Sequence, residues 1–119
     1  MAVAEPGDGQ ITPERFFAAE LRVGEIVKAE PFPKARKPAY QLTVDFGPHG
    51  LKRSSAQITE RYSLEDLPGR RVVAVTNFPP RQIANFLSEV LVLGVPVEGT
   101  DEVVLLAPDS DVPLGSRVS

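Results

Sequence analysis

Four polar residues lie at the ends of two apolar stretches, and their chemistry suits ligand binding rather than catalysis. Asn77 and Arg81 follow the first stretch, on either side of a Pro-Pro pair, and Ser88 and Glu89 open the second. Side chains at strand ends, and in the loops between strands, are those that a rigid scaffold presents to a ligand. An amide, a guanidinium, a hydroxyl and a carboxylate can all hydrogen-bond to such a ligand. No nucleophile–base pair is among them, so the stretch predicts a binding edge.

Residues that could do covalent or metal chemistry are scarce in the sequence. The chain has no cysteine, which excludes disulfides, thiolate metal ligands and thiol nucleophiles. Its one histidine, His49, lies in a Gly-Pro-His-Gly turn, and a lone histidine without partners does not make a metal site. The acidic pair Glu65-Asp66 lies in a polar connector, as solvated charges do. We therefore expect no enzymatic activity, no catalytic residues, no metal and no cofactor.

The length and composition predict one small domain. A chain of 119 residues, 42% of them hydrophobic, can bury a single core. Residues 1–10 are small and acidic and lack the basic start and apolar run of a signal peptide. We predict a disordered tail at 1–10 and a domain at 11–119. No apolar stretch approaches the roughly 20 residues of a membrane span, so we expect no membrane insertion, and the absence of cysteine suits a cytoplasmic protein.

The pattern of apolar residues and turn signals predicts an all-β fold with one minor helix. Thr12-Pro13-Glu14 is typical of a helix start, and the helix is expected to end near Ala19. Gly24 interrupts the apolar alternation of the first strand, which predicts a β-bulge at that residue. Strands are predicted at about 20–29, 40–46, 51–58, 71–78, 87–93 and 103–106.

The order of these elements matches a five-stranded OB-fold barrel with a short N-terminal helix and a C-terminal strand extension. The first three strands form a meander, and a connector precedes the fourth. In OB-folds the face of strands 2 and 3 and the adjacent loops commonly bind nucleic acid.

Several motifs resemble one family. Residues 20–26, Glu-Leu-Arg-Val-Gly-Glu-Ile, look like the opening strand of the tRNA-binding domain found in methionyl-tRNA synthetase extensions and in free-standing proteins. Residues 32–37, Phe-Pro-Lys-Ala-Arg-Lys, resemble the His-Pro-x-Ala-x-Lys loop of that family. Residues 54–59, 77–81 and 88–94 resemble signatures of one branch, the small export-related chaperones.

The resemblance covers about residues 16–118 and implies a homodimer in which the N- and C-terminal segments form the contact. It also implies two classes of ligand. One is unfolded or pre-secretory polypeptide, which the chain would bind as a chaperone in protein secretion. The other is structured RNA, namely tRNA. Val90-Leu91 stands where the family usually has Gly-Met, and Ala84-Asn85 where it usually has Arg-Gly. These two departures favour polypeptide.

Two sets of side chains are candidate contacts. The peptide-binding set offers neutral hydrogen bonds, an acid and an aromatic surface: Ser54, Ser55, Gln57, Asn77, Phe78, Phe86, Ser88 and Glu89. The RNA-binding set is mostly cationic, as phosphate contacts require: Arg22, Lys34, Arg36, Lys37, Lys52, Arg53, Asn77, Arg81 and Ser88. Each side chain could instead serve the fold. The two phenylalanines could be core residues, and Glu89 could pair with Arg81 or Arg22.

The net charge of −3 hides a segregation along the chain. Residues 28–81 contain ten basic and five acidic residues, whereas residues 82–119 contain one basic and six acidic residues. A basic middle could form an anion-binding face, or its charges could scatter over a solvated surface. The basic middle favours RNA as the ligand, and the acidic balance of the whole chain favours polypeptide.

Overall fold

The computed structural model describes residues 6–119 of the chain. Residues 1–5 of the predicted tail lie outside the described residues. In the rest of the tail, the N–H of Gln10 donates to the carbonyl of Gly7 at 3.0 Å. The helix α1 (Pro13–Phe17) then begins as predicted, with the hydroxyl of Thr12 accepting from the N–H of Arg15 at 3.3 Å. It ends before Ala19.

The rest of the described chain consists of short strands and tight connections. One-turn 3-10 helices at Gly47–His49 and Leu64–Asp66 lie in two of those connections. The strands are β1 (Leu21–Pro31), β2 (Tyr40–Asp45), β3 (Leu51–Ala56), β4 (Arg71–Val75), β5 (Arg81–Ile83), β6 (Phe86–Ser88), β7 (Leu91–Val92), β8 (Gly94–Pro96) and β9 (Val103–Leu105).

Five of these strands form a nearly closed barrel. They make one antiparallel sheet in the order β3-β2-β1-β4-β7. The sheet curls until its two edges meet, where the N–H groups of Glu89 and Val90 donate to the carbonyl of Arg53 at 2.8 and 3.3 Å. The predicted five-stranded OB-fold with a short N-terminal helix is thereby confirmed. Two hairpins, β5–β6 and β8–β9, are added to the barrel.

The barrel interior is filled by side chains from the inner faces of the strands. In β2, Leu42 and Val44 are buried, whereas the alternating residues Gln41, Thr43 and Asp45 are only partly covered, as the alternation in the sequence predicts. Each fully buried side chain of this size contributes about 1.5–3 kcal/mol. The largest completely buried hydrophobic side chains are Phe46, Phe86, Ile26, Leu42, Leu67, Val44 and Val72.

The β-bulge of the first strand was predicted at Gly24 and lies instead at Val27. Ile26 pairs with Val44, but Lys28 pairs with Thr43, so Val27 is the extra residue. Gly24 itself pairs regularly with Val72 of β4. A Cβ at Gly24 would lie 2.5 Å from Cγ1 of Val44. The absence of a side chain at Gly24 therefore leaves space for the core side chain of Val44 and does not serve a bend of the strand.

The single strand predicted at 87–93 is two strands, β6 and β7. Glu89 and Val90 separate them because the N–H groups of these residues turn to close the barrel on Arg53. β6 pairs instead with β5, across a two-residue turn formed by Ala84 and Asn85. Ala84 has a φ of 51°, a left-handed conformation that glycine adopts more easily than alanine. The sequence pattern missed this hairpin because β5 is short and polar.

The C-terminal segment lies along the first half of β1, whereas the strand predicted at 103–106 is β9 (Val103–Leu105) and pairs with β8. β2 pairs with β1 only from Glu25 onward, which leaves the edge of residues 21–24 uncovered by β2. The N–H of Val23 donates to the carbonyl of Ser116 at 2.9 Å, and the N–H of Val118 donates to the carbonyl of Leu21 at 2.8 Å. The C-terminal segment therefore takes the place of β2 along this part of β1.

Candidate functional site

A groove of about 630 Å³ opens where the two edges of the barrel sheet diverge. Its walls are formed by residues 55–58 at the end of β3, by segment 78–83, by residues 88–92, and by the β8–β9 hairpin. Most of the lining side chains are apolar. Phe78 and Leu91 lie in this lining with 50% and 46% of their surfaces exposed. The groove is therefore a preformed apolar surface that solvent reaches.

The charged residues of the lining are Arg81 and Glu89. Arg81 is exposed, and it forms no salt bridge with another residue in the described part of the chain. Glu89 is half-buried, and its Oε1 accepts from the N–H of Arg53 at 3.0 Å. The pairing of Glu89 with Arg81 or Arg22, one of the sequence alternatives, is not formed. The guanidinium of Arg81 therefore remains able to contact a ligand.

Five members of the predicted peptide-binding set line the groove: Ser55, Gln57, Phe78, Ser88 and Glu89. Ser88 also has a structural role, because its Oγ accepts from the N–H of Ser55 at 3.1 Å. Together with the Glu89 carboxylate, this hydroxyl fastens β6 and the following residues to β3. The same two side chains thus close the barrel and border the groove.

Ser54 and Phe86 belong to the interior rather than to the groove surface. The side chain of Ser54 points into the barrel with 0% of its surface exposed, and its hydroxyl donates to the carbonyl of Ser55 at 3.1 Å. Phe86 is 1% exposed. The prediction that Ser54 and Phe86 contact a ligand directly is therefore wrong, because neither side chain is exposed.

Asn77 lies beside the groove entrance, but both the oxygen and the nitrogen of its side-chain amide have hydrogen-bond partners within the chain. Its Oδ1 accepts from the N–H of Glu20, and its Nδ2 donates to the carbonyl of Ala18, each at 2.8 Å. Asn77 thereby ties the end of β4 to the segment between α1 and β1. This is the internal capping role that the sequence left open.

Arg22, predicted as an RNA contact, is engaged in a cluster that joins the start of β1 to the C-terminal segment. Its Nε lies 2.6 Å from Oε1 of Glu20, and its Nη1 donates to the carbonyl of Gly115 at 2.7 Å. The hydrogen bond from Arg22, together with one from the hydroxyl of Thr76, holds the pKa of Glu20 below its ordinary value. Arg22 therefore stabilises the terminal segments from this position.

A second apolar cluster explains the burial of Phe86. Its ring lies 5.3 Å from the ring of Phe32, centroid to centroid, and packs with Ala39 and Ile83. The guanidinium of Arg53 covers the ring at 4.4 Å, a cation–π contact. Phe86 therefore fastens both the loop 32–39 and Arg53 to the β5–β6 hairpin.

This cluster brings several of the predicted RNA contacts together. Lys34, Arg36 and Lys37 are exposed on the loop that Phe32 and Ala39 anchor. Arg53 is exposed on the outer face of β3, where its Nη2 donates to Oε1 of Gln41 at 3.2 Å. Lys52, the neighbouring residue, is half-buried. The cationic loop, which we call the basic loop (residues 32–39), and Arg53 therefore lie around one aromatic ring.

Apart from Phe78, the sequence did not single out the apolar residues that line the groove. Leu91 and Ile83 line it, as do Val103 and Leu105 of β9. Leu91, Val103 and Leu105 belong to apolar stretches that are equally typical of core strands, and Ile83 lies in the short polar strand β5, so no signal in the sequence marks these residues as groove lining. Across residues 6–119, no three acidic or histidine side chains are grouped so that they could hold a metal ion. No described helix has the length and apolar character needed to cross a membrane.

The barrel, the apolar groove and the basic loop define a small OB-fold binding domain. Residues 21–117 match the family model described as "Putative tRNA binding domain". The chain therefore belongs to the tRNA-binding-domain family, as its motifs predicted.

Curated relatives carry the same domain within a longer chain. Methionine–tRNA ligase 1 of Sorangium cellulosum is 40% identical over 114 residues, which are 96% of this chain and 16% of the ligase. Methionine–tRNA ligase 1 of Bacillus anthracis is 35% identical over 114 residues, 96% of this chain and 17% of the ligase. The chain thus spans about a sixth of the length of these relatives.

Solved structures of similar size are more alike. The chaperone CsaA from Bacillus anthracis str. Ames is 50% identical, with a TM-score of 0.87, covering 92% of this chain and 99% of that one. The CsaA chaperone protein from Picrophilus torridus is 47% identical, with a TM-score of 0.85, covering 92% of this chain and 100% of that one. The predicted similarity to a small chaperone is confirmed by these two structures, both of which are CsaA chaperones.

Proposed function

We propose that this protein is a non-enzymatic chaperone that binds unfolded or pre-secretory polypeptide in the groove and assists protein export from the cytoplasm. The observation that carries the proposal is the apolar groove, in which Phe78 and Leu91 are exposed to solvent. The similarity of the whole chain to the two CsaA chaperones supports the same function. Nothing in the lining pairs a nucleophile with a base.

The groove has the physical properties that such a ligand requires. Pro79 and Pro80 restrict the backbone at the rim of the groove. The rim therefore loses little conformational entropy when an apolar ligand binds. Burial of one apolar side chain contributes roughly 1.5–3 kcal/mol, and an unfolded polypeptide exposes many of them. Arg81 at the rim adds a hydrogen-bond donor for backbone carbonyls or carboxylates.

The proposal predicts that Leu91→Ser weakens polypeptide binding about three- to tenfold, because a ligand would cover the 46% of Leu91 that is exposed, about half of the roughly 1.5–3 kcal/mol for burying a whole side chain. Binding is measured by fluorescence anisotropy with a labelled, carboxymethylated polypeptide that cannot fold. The matched control is Leu51→Ser, since Leu51 is 60% exposed but lies outside the groove. Equal affinities of the wild type and the Leu91→Ser protein would contradict the groove as the binding site.

Structured RNA is the second candidate ligand, and the arrangement around Phe86 favours it. The basic loop and Arg53 meet on this one ring, which concentrates cationic side chains at the β5–β6 hairpin. Membership of the tRNA-binding-domain family supports the same ligand. We infer that tRNA, if bound, contacts this face through its phosphates.

For tRNA, we expect Lys37→Ala to weaken binding and to lower the slope of log affinity against log salt by about one unit, since one phosphate contact is lost. The measurement is a filter-binding titration of bulk tRNA at several salt concentrations. Arg61→Ala is the control, because Arg61 lies on the connector after β3 and pairs with Glu102 at 3.7 Å. An unchanged slope in the Lys37→Ala protein would point to a different face.

We also propose that the protein is a homodimer. Ile11, Phe16 and Phe17 are exposed near the N-terminus, and Arg117 holds the C-terminal segment beside them by donating to the carbonyl of Phe17 at 2.9 Å. Such an apolar surface on so small a domain is typical of an interaction site. Light scattering at micromolar concentration should give twice the mass of the chain, and a monomer mass would remove the proposal.

A further inference from the structure

The groove also exposes backbone, because within residues 6–119 backbone hydrogen bonds close the barrel only at the carbonyl of Arg53. β3 and β7 are the two edges of the five-stranded sheet and run in the same direction around it. The bonds from Glu89 and Val90 to the carbonyl of Arg53 join them. Beyond that point, no backbone hydrogen bond joins the two strands in the described chain, and both continue as walls of the groove.

The free edge of β3 faces into this gap. Peptide groups of alternate residues along a strand point to the same side. The carbonyl of Arg53 points to the gap, toward Val90, and the N–H of Ser55 points there too, toward Oγ of Ser88. Gln57 is the next residue in this series. Its N–H and carbonyl have no hydrogen-bond partner among residues 6–119.

The edge of β7 faces the gap from the other side. The N–H of Leu93 donates to the carbonyl of Val73 at 2.9 Å and Leu91 pairs with Val75, so the N–H of Leu93 and the peptide groups of Leu91 turn toward β4. Because peptide groups alternate along a strand, the N–H and carbonyl of Val92 point away from β4. They point to the same side as the N–H of Val90, which donates to the carbonyl of Arg53. Gln57 and Val92 thus present unpaired donors and acceptors across an apolar groove.

We propose that the bound polypeptide enters this gap as an additional strand, whose backbone pairs with Gln57 on one side and with Val92 on the other. This inference rests on the proposed polypeptide-binding function and specifies its mode. Alternate side chains of the inserted segment turn toward the apolar lining, and those between them turn to solvent. The occupant is therefore an extended segment in which apolar residues alternate with other residues.

Strand insertion accounts for the breadth of clients that a chaperone must bind. Main-chain hydrogen bonds supply affinity that does not depend on the sequence, and pockets for alternate side chains supply a moderate preference. Arg81 and Glu89 at the rim lie where the segment enters, beside the closure point of the barrel. The groove then selects segments by their hydrophobic pattern rather than by a motif.

The test replaces backbone amides of a peptide by esters, one position at a time. The probe is a labelled nine-residue peptide with valine at alternate positions and one central phenylalanine that fixes its register. An ester removes one N–H donor without adding bulk. We expect two positions at which the ester weakens binding about three- to tenfold, the effect of one lost backbone hydrogen bond, and less than twofold effects elsewhere.

The outcomes separate this inference from the function on which it rests. If the unmodified peptide binds and every ester variant binds equally well, strand insertion is wrong and the polypeptide-binding function stands. If the unmodified peptide does not bind, both are overturned. The affinity of the unmodified peptide must also fall with Leu91→Ser and not with Leu51→Ser; otherwise the sensitive positions report another site, and the inference is overturned.

Discussion

Replacement of Phe86 by alanine is expected to lower the free energy of unfolding by about 3–5 kcal/mol, the usual cost of removing a buried aromatic ring. The ring is 1% exposed and packs on Phe32, and the guanidinium of Arg53 covers it at 4.4 Å. Its loss leaves a cavity between the β5–β6 hairpin and the basic loop. Urea unfolding followed by circular dichroism measures the change.

Phe78→Ala is the matched comparison, since it makes the same chemical change on a ring that is 50% exposed in the groove. We expect its stability to stay within about 1 kcal/mol of the wild type, because an exposed side chain leaves no cavity. Its affinity for unfolded polypeptide should fall by about 1–3 kcal/mol, the scale of burying one such ring. A large loss of stability in Phe78→Ala, or none in Phe86→Ala, would contradict these assignments.

The fold could be predicted from the sequence because its signals are local. The alternation of Leu42 and Val44 with polar neighbours fixes the inner face of β2, and Thr12 with Pro13 fixes the start of α1. The OB-fold follows from the order of such elements. The β5–β6 hairpin was missed because Ala84 is not a typical residue for a tight turn and both strands are short.

The roles of individual site residues were harder to predict, because they depend on contacts that are distant in the sequence. Asn77 bonds to Glu20 across 57 residues, and Arg22 bonds to Gly115 across 93. Ser54 and Ser55 are chemically identical neighbours on β3, and only the strand register places the first inside the barrel and the second in the groove. Composition carries no information about that choice.

Phe86 shows how a buried residue can matter to a binding surface without touching the ligand. The sequence was compatible with Phe86 either in the core or in the groove. In the structure the ring is buried in the second apolar cluster. From there it holds the basic loop and Arg53 on the same hairpin whose other side lines the groove. The loop geometry that a nucleic acid would meet is thus determined by apolar packing.

Gly24 is the second position at which the change of a single residue should have a large effect on stability, in this case by the addition of one methyl group. A Cβ built on it lies 2.5 Å from Cγ1 of Val44 and 2.8 Å from the ring of Phe46. Both of these side chains are completely buried, so they have little space into which to move. Interiors as densely packed as this one respond to an added methyl group by shifting backbone or adopting strained rotamers.

Gly24→Ala is therefore expected to lower the free energy of unfolding by about 1–3 kcal/mol, the cost of overpacking a core. Gly7→Ala is the control, since it adds the same methyl group and restricts the unfolded chain equally. There the nearest atom is the flexible side-chain oxygen of Gln10, at 3.0 Å, so we expect a change within about 0.5 kcal/mol. Thermal and urea unfolding of the two variants give the comparison. If Gly24→Ala proved as stable as Gly7→Ala, the barrel would have room for a methyl group at this position, and the overpacking assigned to Gly24 would be wrong.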